Sequence, residues 1–351
     1  MKLKKLLSLG LAVVMSASLL VGCSSSSESG EKESTGGDEG KVYKIGMVTD
    51  VGGVNDESFN QSAWTGLENI KEELGKDKVE VKYLESKQDA DYVPNIEQFV
   101  DQDMDLIIGV GFKLADAIEE ASTNYPELQF ALIDAAYPEQ PANVTSLLFE
   151  DNVSAYLTGL VAGKMTKTDK VGFIGGIEGE VIDRFDYGFR AGFESVKPEG
   201  DVMVQYANSF TDAALGKSIA QQMHQKGADI IFSAAGAVGI GAIEAAKENG
   251  KMAIGVDQDQ NKLAPDNIIT SAMKNIDVAV ANLVRTMVEG KYEAGKVVVN
   301  TLEMGGVGIA PTSDKNVDAE ILEFVNAEAE KIKSGEIKVP QNKAEYEELK
   351  K

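Results

Sequence analysis

Short apolar runs alternate with amphipathic stretches along the chain after residue 42. The apolar runs are rich in Val, Ile and Phe, as expected of buried strands, whereas the stretches between them repeat their apolar positions every three or four residues, as helices do. Strands are predicted at 43–49, 79–84, 105–110, 130–133, 171–174, 201–206, 229–232 and 252–256. Helices are predicted between them at 61–74, 93–102, 114–122, 186–195, 213–225 and 240–249. This alternation is typical of parallel α/β sheets.

The second half of this pattern repeats the first half. Tyr83 and Tyr206 are 123 residues apart, and so are Asp134 and Asp257. The order of predicted strands and helices between the members of each pair is also the same. We therefore infer an internal duplication, which predicts two similar open-sheet domains that face each other.

Polar or small residues follow several of the predicted strands. Asp50, Asp134 and Asp257 come after apolar runs, and Gly236 closes another run. Open α/β sheets bind ligands beyond the carboxyl ends of their strands, so two facing domains predict a cleft lined by carboxylates and exposed backbone. Carboxylates suit vicinal hydroxyl groups because each oxygen accepts a charge-assisted hydrogen bond. Any one of these Asp residues could instead cap a helix or a turn.

Composition and charge narrow the function classes. The 351 residues contain 34 Lys and Arg against 57 Asp and Glu, a formal net charge of −23, with one Cys and one His. The length suggests two domains. The acidic excess argues against a nucleic-acid partner, because such binding depends on Lys and Arg. A single Cys and the single His224 exclude a disulfide, a Cys/His zinc site and a Cys–His pair, so neither a metal nor a cofactor is predicted.

The N-terminal segment indicates where the protein works. A start rich in Lys precedes an apolar run over residues 6–21, which is too short to span a bilayer comfortably and is typical of a secretory signal. The chain's one Cys, Cys23, follows Leu-Val-Gly and resembles the lipid-modified Cys of a lipobox. We predict a signal peptide over residues 1–22, a lipid anchor at Cys23 in the cell membrane and a flexible tether over residues 23–40. A chance Cys in a plain signal or an uncleaved anchor is the alternative.

Several segments together resemble the basic membrane protein family. Besides Cys23 they are residues 50–61 (DVGGVNDESFNQ), 172–176, 185–193 and 256–260 (VDQDQ). Members of this family are lipid-anchored substrate-binding proteins of ABC importers, of the purine nucleoside receptor type. The resemblance extends from Cys23 to about residue 311.

The resemblance implies a type I periplasmic-binding-protein fold. In this fold, two doubly wound parallel-sheet lobes are joined by a three-segment hinge, and the ligand lies between them. Apolar runs at 143–149, 268–274 and 297–302 could cross between the lobes. The predicted lobes are residues 41–146 with 275–299, and residues 147–274 with 300–351.

The resemblance also implies residues that hold a purine base. Asp50 and Asn60 would meet the edge of the base, and Asn55 belongs to the same predicted segment. Phe59 would stack on one face of the base, and Phe210 would close on the ligand from the second lobe. Each Phe has an alternative, since Phe59 could pack ahead of its helix and Phe210 could cover the core.

A second implied group lies near the ribose. Asp134 would lie near the base or the ribose, and Gly236, Asp257 and Lys274 would hold the ribose hydroxyls. Lys274 could instead be a solvated charge at the hinge. Phe185 is interpreted as core packing beside Phe189 and Phe193, although it could line the cleft.

Together these observations predict a monomeric, extracytoplasmic lipoprotein. It would capture purine nucleosides between its lobes and deliver them to the permease of an ABC transporter, with no catalytic role. Two alternatives remain open: a two-lobe sensor or interaction lipoprotein for another small polar ligand such as a sugar, and an exported nucleoside hydrolase that uses the cleft Asp residues.

Overall fold

The computed structural model describes residues 40–351. The predicted signal peptide, the lipidation site at Cys23 and nearly all of the predicted tether lie outside the described residues. The strands are β1 (Tyr43–Val48), β2 (Val79–Leu84), β3 (Leu106–Val110), β4 (Gln129–Ile133), β5 (Val144–Phe149), β6 (Lys170–Gly175), β7 (Asp201–Tyr206), β8 (Ile230–Ala234), β9 (Met252–Asp257), β10 (Ile268–Lys274), β11 (Val297–Asn300) and β12 (Val307–Ile309).

Helices connect most of these strands. They are α1 (Phe59–Leu74), α2 (Tyr92–Val100), α3 (Ala115–Asn124), α4 (Asp151–Met165), α5 (Glu180–Val196), α6 (Ala213–Gln225), α7 (Ala237–Glu248), α8 (Ile276–Val288), α9 (Ala319–Lys333) and α10 (Lys343–Glu348). None of the helices within residues 40–351 is both long enough and apolar enough to cross a membrane.

The strands form two six-stranded sheets of the same design. Their orders are β11-β5-β4-β3-β1-β2 and β12-β10-β9-β8-β6-β7. The first sheet is parallel throughout, and the second is parallel except for β12, which runs antiparallel to β10. The two lobes built on these sheets confirm the predicted duplication of an open α/β plan.

The chain crosses between the lobes immediately after a strand in three places. Glu150 joins β5 to α4, Asn275 joins β10 to α8, and residues 301–306 join β11 to β12. The three apolar runs considered as crossings are therefore strands of the sheets, and the links follow them. β5 continues to Phe149, three residues past the predicted lobe boundary at 146, because its last residues pair with β11.

Three of the elements that the sequence pattern missed have identifiable reasons. In α4, 13 of the 15 residues are buried, so it lacks the polar face that identifies a helix in a sequence. The helix α8 follows β10 after a single residue, Asn275, so no loop separates the two elements. The strand β12 has three residues and depends on pairing with β10.

The helices α4 and α5 pack unusually closely. A Cβ added to Gly159 would lie 2.3 Å from the Phe189 carbonyl oxygen, and one added to Gly192 would lie 2.1 Å from the Tyr156 carbonyl oxygen. Only glycine permits this approach of the backbones. The contact holds α5 against the second sheet, with one end of the helix at the cleft described next.

Candidate ligand-binding cleft

A cleft lies between the lobes, beyond the carboxyl ends of strands of both sheets. Eight of the nine predicted ligand-binding residues line it, namely Asp50, Phe59, Asn60, Asp134, Phe210, Gly236, Asp257 and Lys274. The ninth, Asn55, is exposed and lines a neighbouring shallow groove instead.

The first turn of α1 is organised by Asp56, which sequence analysis did not single out. Its Oδ1 accepts hydrogen bonds from the backbone N–H groups of Ser58 and Gln61, each at 3.0 Å. Its Oδ2 accepts from the backbone N–H of Asn60 at 2.8 Å and from Asn60 Nδ2 at 2.9 Å. Asp56 thus accepts hydrogen bonds from backbone N–H groups that have no partner within the first turn of the helix, and it positions Phe59 and Asn60 at the cleft.

Asp50 is joined to the same turn through Asn60. Its backbone N–H donates to Asn60 Oδ1 at 3.2 Å, and Asn60 Nδ2 donates to Asp50 Oδ1 at 2.8 Å. The backbone N–H of Gly52 also donates to Asp50 Oδ1, at 2.8 Å. Burial raises the pKa of Asp50 to about 6, although the hydrogen bonds from Gly52 and Asn60 oppose the shift.

Asp134 and Asp257 occupy matching places in the two lobes. Each follows or ends a central strand, each is 7% exposed, and each has a positive φ, +73° for Asp134 and +66° for Asp257. This left-handed conformation is uncommon outside glycine, although Asp adopts it more readily than most residues. The two residues therefore share the same uncommon backbone conformation at equivalent places of the two lobes.

Lys274 is buried in an ion-pair network that joins the lobes. Its Nζ lies 2.6 Å from Asp134 Oδ1 and 3.0 Å from Asp151 Oδ1, and its side chain is 1% exposed. Asp151 Oδ2 accepts from Arg184 Nη2 at 2.9 Å and Nε at 3.1 Å. Burial disfavours the ammonium, but Asp134, Asp151 and Asp257 together hold the pKa of Lys274 above its ordinary value. The structure therefore excludes the alternative of a solvated hinge charge.

Asp257 contacts the opposite lobe directly. Its Oδ2 accepts a hydrogen bond from the hydroxyl of Ser58, a fully buried residue of the first lobe. Burial raises the pKa of Asp257 to about 7, and Lys274 and Ser58 oppose the shift.

Further contacts beside Asp257 hold the cleft closed. Gln258 Nε2 donates to Gln61 Oε1 at 3.1 Å, and Gln260 Nε2 donates to the Glu57 carbonyl oxygen at 2.8 Å. Lys262 forms an ion pair with Glu57 at 2.7 Å. The lobes are therefore in mutual contact through the start of α1 and the loop after β9.

Comparison with known proteins identifies the family. The family model described as "ABC transporter substrate-binding protein PnrA-like" matches residues 43–343. The chain belongs to this family. It is 38% identical over 355 residues to the "ABC transporter nucleoside-binding protein BmpA" of Lactococcus lactis, with 96% of this chain and 99% of the relative covered. It is also 38% identical over 317 residues to "Basic membrane protein A" of Borreliella burgdorferi, covering 88% and 91%. The predicted resemblance to the basic membrane protein family is confirmed.

Another relative has a different kind of name. The "CD4+ T-cell-stimulating antigen" of Listeria innocua is 40% identical over 357 residues, covering 96% of this chain and 99% of the relative. Among solved structures, an ABC transporter solute-binding protein from Aeropyrum pernix matches with a TM-score of 0.79 at 28% identity, covering 88% of this chain and 96% of that one. The PnrA-like assignment therefore agrees at the levels of sequence and fold, and the predicted type I periplasmic-binding-protein fold is confirmed.

Aromatic rings of this PnrA-like protein come from both lobes. Phe59 is the first residue of α1, and Phe210 lies in the loop before α6. Phe210 packs against Gly176, where any Cβ would overlap its ring, and edge-to-face against Phe112 of the first lobe, with ring centroids 6.5 Å apart. Phe185 is buried against Phe232, with centroids 6.1 Å apart, and also lines the cleft. Phe185 therefore packs in the core, as predicted, and also lines the cleft, which was the alternative.

Several cleft residues of the PnrA-like protein lay outside the sequence prediction. Val181 and Ile182 line the cleft from α5, which begins at Glu180, six residues before the predicted start. Their spacing from Phe185 would have placed them on one helical face had the helix been extended. Lys113 lines the cleft beyond β3, and no local pattern distinguishes it from a surface lysine. Within residues 40–351, no cluster of His, Cys, Asp or Glu is arranged to hold a metal ion.

Proposed function

We propose that this PnrA-like substrate-binding protein captures purine nucleosides and delivers them to an ABC permease. In this proposal it acts as a monomer on the extracytoplasmic side, is anchored by lipid at Cys23 and performs no catalysis. The observation that carries the proposal is the pairing of aromatic rings with carboxylates in one closed cleft. The name of the Lactococcus relative, a nucleoside-binding protein, supports the same ligand class.

The aromatic part of the cleft suits a base. Phe59 and Phe210 reach it from different lobes, so a flat ring between them would contact both. Stacking of a base on an aromatic ring contributes about 1–3 kcal/mol and accepts any base with a π-face. Asp50 and Asn60, beside Phe59, would then meet the polar edge of the base.

The carboxylate part suits a ribose. Asp134 and Asp257 are acceptors, and Lys274, which pairs with Asp134, is a donor whose Nζ lies 5.3 Å from the centroid of the Phe59 ring. Gly236, with φ +54°, lines the same cleft from the second lobe. Acceptors beside a fixed cation are well placed to take hydrogen bonds from the 2′ and 3′ hydroxyls.

The direct test is the ligand itself. In the first experiment, the protein is purified without refolding and then denatured, and the released small molecules are identified by mass spectrometry. In the second experiment, calorimetry measures the binding of inosine, adenosine and guanosine. We expect purine nucleosides in both experiments and no free hypoxanthine after incubation with inosine. Recovery of a sugar or an amino acid, or release of hypoxanthine, would contradict the proposal.

The ribose assignment predicts a specific effect of Asp257→Ala. Loss of the acceptor leaves sugar hydroxyls unpaired in a closed cleft, so inosine should lose about 1–3 kcal/mol of binding, or about 5- to 150-fold in affinity. A 2′,3′-dideoxyinosine lacks those hydroxyls and should lose much less. Calorimetry of both ligands against both proteins gives the coupling free energy.

Asp259→Ala is the matched control for this cycle. Asp259 lies two residues away and accepts from Thr312 Oγ1 at 2.7 Å, outside the residues that line the cleft. Asp259→Ala should leave the difference between the affinities for inosine and for 2′,3′-dideoxyinosine unchanged. Equal losses for inosine and its dideoxy analogue in Asp257→Ala would refute the ribose role.

A further inference from the structure

The two carboxylate oxygens of Asp50 have different surroundings. Oδ1 accepts from the backbone N–H of Gly52 and from Asn60 Nδ2, both at 2.8 Å. Oδ2 has no hydrogen-bond partner among residues 40–351 and faces Gly111, as the ring of Phe59 does. A Cβ built on Gly111 would be 3.6 Å from Asp50 Oδ2 and 3.4 Å from the Phe59 ring. Oδ2 is therefore the oxygen that a base lying on Phe59 would meet.

The direction of the hydrogen bonds around Asp50 is set by the backbone. Asn60 Oδ1 accepts from the Asp50 N–H, so Asn60 Nδ2 is committed to donate to Asp50 Oδ1 and Asp56 Oδ2. Backbone N–H groups can only donate, and exchanging the two ends of the Asn60 amide would oppose donor to donor. Asp50 Oδ1 must therefore remain an acceptor, and any proton on this carboxyl resides on Oδ2.

Building on the nucleoside-binding function proposed above, we propose that Asp50 Oδ2 reads position N1 of the purine and that its protonation sets the preferred base. When ionised, Oδ2 accepts from the N1–H of a 6-oxopurine such as inosine or guanosine. When protonated, it donates to the bare N1 of a 6-aminopurine such as adenosine. The wrong combination places two donors or two acceptors face to face in a buried site.

Both protonation states are accessible near neutral pH. Burial raises the pKa of Asp50 to about 6. Of the charged groups around it, Asp56 on the same loop raises the pKa further and Lys113 beyond β3 lowers it. Tyr92 of α2 is also within electrostatic reach of Asp50. The remaining charged residues of the cleft lie toward the proposed ribose site: Asp134, Asp257 and Lys274.

Asp257 has a pKa near that of Asp50, about 7, but its effect can be separated. The two nucleosides carry the same ribose, so titration of a group that contacts only the sugar changes both affinities equally. It cancels in the ratio of the two dissociation constants. The pH dependence of that ratio therefore reports the group that faces the base.

The experiment is calorimetric titration of the full chain with adenosine and with inosine between about pH 5 and about pH 8. Because the ratio of ionised to protonated Asp50 changes tenfold per pH unit, the ratio of the adenosine Kd to the inosine Kd should rise by up to about tenfold per unit. 1-Deazaadenosine, which has C–H in place of N1, should not gain affinity as the pH falls.

Two variants serve as controls. In Asp50→Asn, the acceptor position at Oδ1 forces the new amide NH₂ into the place of Oδ2, so this variant should favour adenosine at every pH. Asp257→Asn should weaken both nucleosides yet keep the pH dependence of their ratio. Thermal unfolding of each variant establishes that it is folded.

The outcomes separate this inference from the proposed function. A rising ratio in the wild type that is lost in Asp50→Asn supports the inference. If both nucleosides bind the wild type with a ratio independent of pH, the inference is overturned and the proposed function stands. The same holds if Asp50→Asn retains the slope. If neither nucleoside binds at any pH, both are overturned.

Discussion

Replacement of Lys274 by Met is expected to lower the free energy of unfolding by about 3–5 kcal/mol. Lys274 Nζ pairs with Asp134 and Asp151, and it lies 5.1–5.7 Å from the ring centroids of Phe59, Phe149 and Phe185. Met preserves much of the volume but removes the cation. The Asp134 carboxylate then remains buried without its partner, whereas Asp151 keeps Arg184.

The matched control is Lys262→Met, measured in the same urea titrations. Lys262 also joins the two lobes, through Glu57, but the two side chains are 59% and 37% exposed. An exposed ion pair contributes about 0–1 kcal/mol, so this variant should be nearly as stable as the wild type. Equal stabilities of the two variants would contradict the role assigned to the buried network.

The loss in Lys274→Met should also depend on pH. Burial already raises the pKa of Asp134 and Lys274 opposes the shift, so loss of the cation raises this pKa further above its value in the unfolded chain. The folded state of the variant therefore binds a proton more tightly. The stability of the variant relative to wild type should therefore recover as the pH falls toward about 5 and decline as it rises. Adding Asp134→Asn, which removes the unpaired charge, should recover part of the stability at neutral pH.

Phe59→Ala and Phe210→Ala are each expected to weaken all purine nucleosides to a similar extent, by about 1–3 kcal/mol or about 5- to 150-fold in Kd. A ring face carries little hydrogen-bond information, so inosine, guanosine and adenosine should be affected alike. Calorimetry at a single pH with the three ligands measures this effect.

Phe324→Ala is the control for these two variants. Phe324 lies on α9, packs on the second lobe and has Lys164 4.2 Å from its ring centroid, and it is not among the residues that line the cleft. Its removal should leave the three affinities unchanged. A loss of affinity confined to one base would show that Phe59 or Phe210 acts by positioning a hydrogen-bonding group. If no affinity is lost, the base does not bind in this part of the cleft.

Much of the fold was predictable because its signals are local. A strand such as β2 or β7 has the same bounds in sequence and structure, Val79–Leu84 and Asp201–Tyr206, since strand residues alternate or run apolar between polar turns. Residues at strand ends, such as Asp50 and Asp134, were accessible to sequence analysis for a related reason. Parallel strands bring their carboxyl ends to one edge, so chain position alone places these residues at the cleft.

By itself, then, the sequence determined the duplicated α/β plan and which residues stand at the edges that become the cleft. Only the tertiary structure decided which hydrogen bonds and ion pairs those residues form. Ser58 reaches Asp257 across 199 residues of sequence, and Lys274 reaches Asp134 across 140. The charge state and orientation of such groups depend on burial and on partners from the other lobe, and no periodicity along the chain encodes either. The apolar period of a strand or a helix is a property of neighbouring residues, whereas the pKa of Asp257 and the ion pairs of Lys274 exist only once two distant segments exclude water between them.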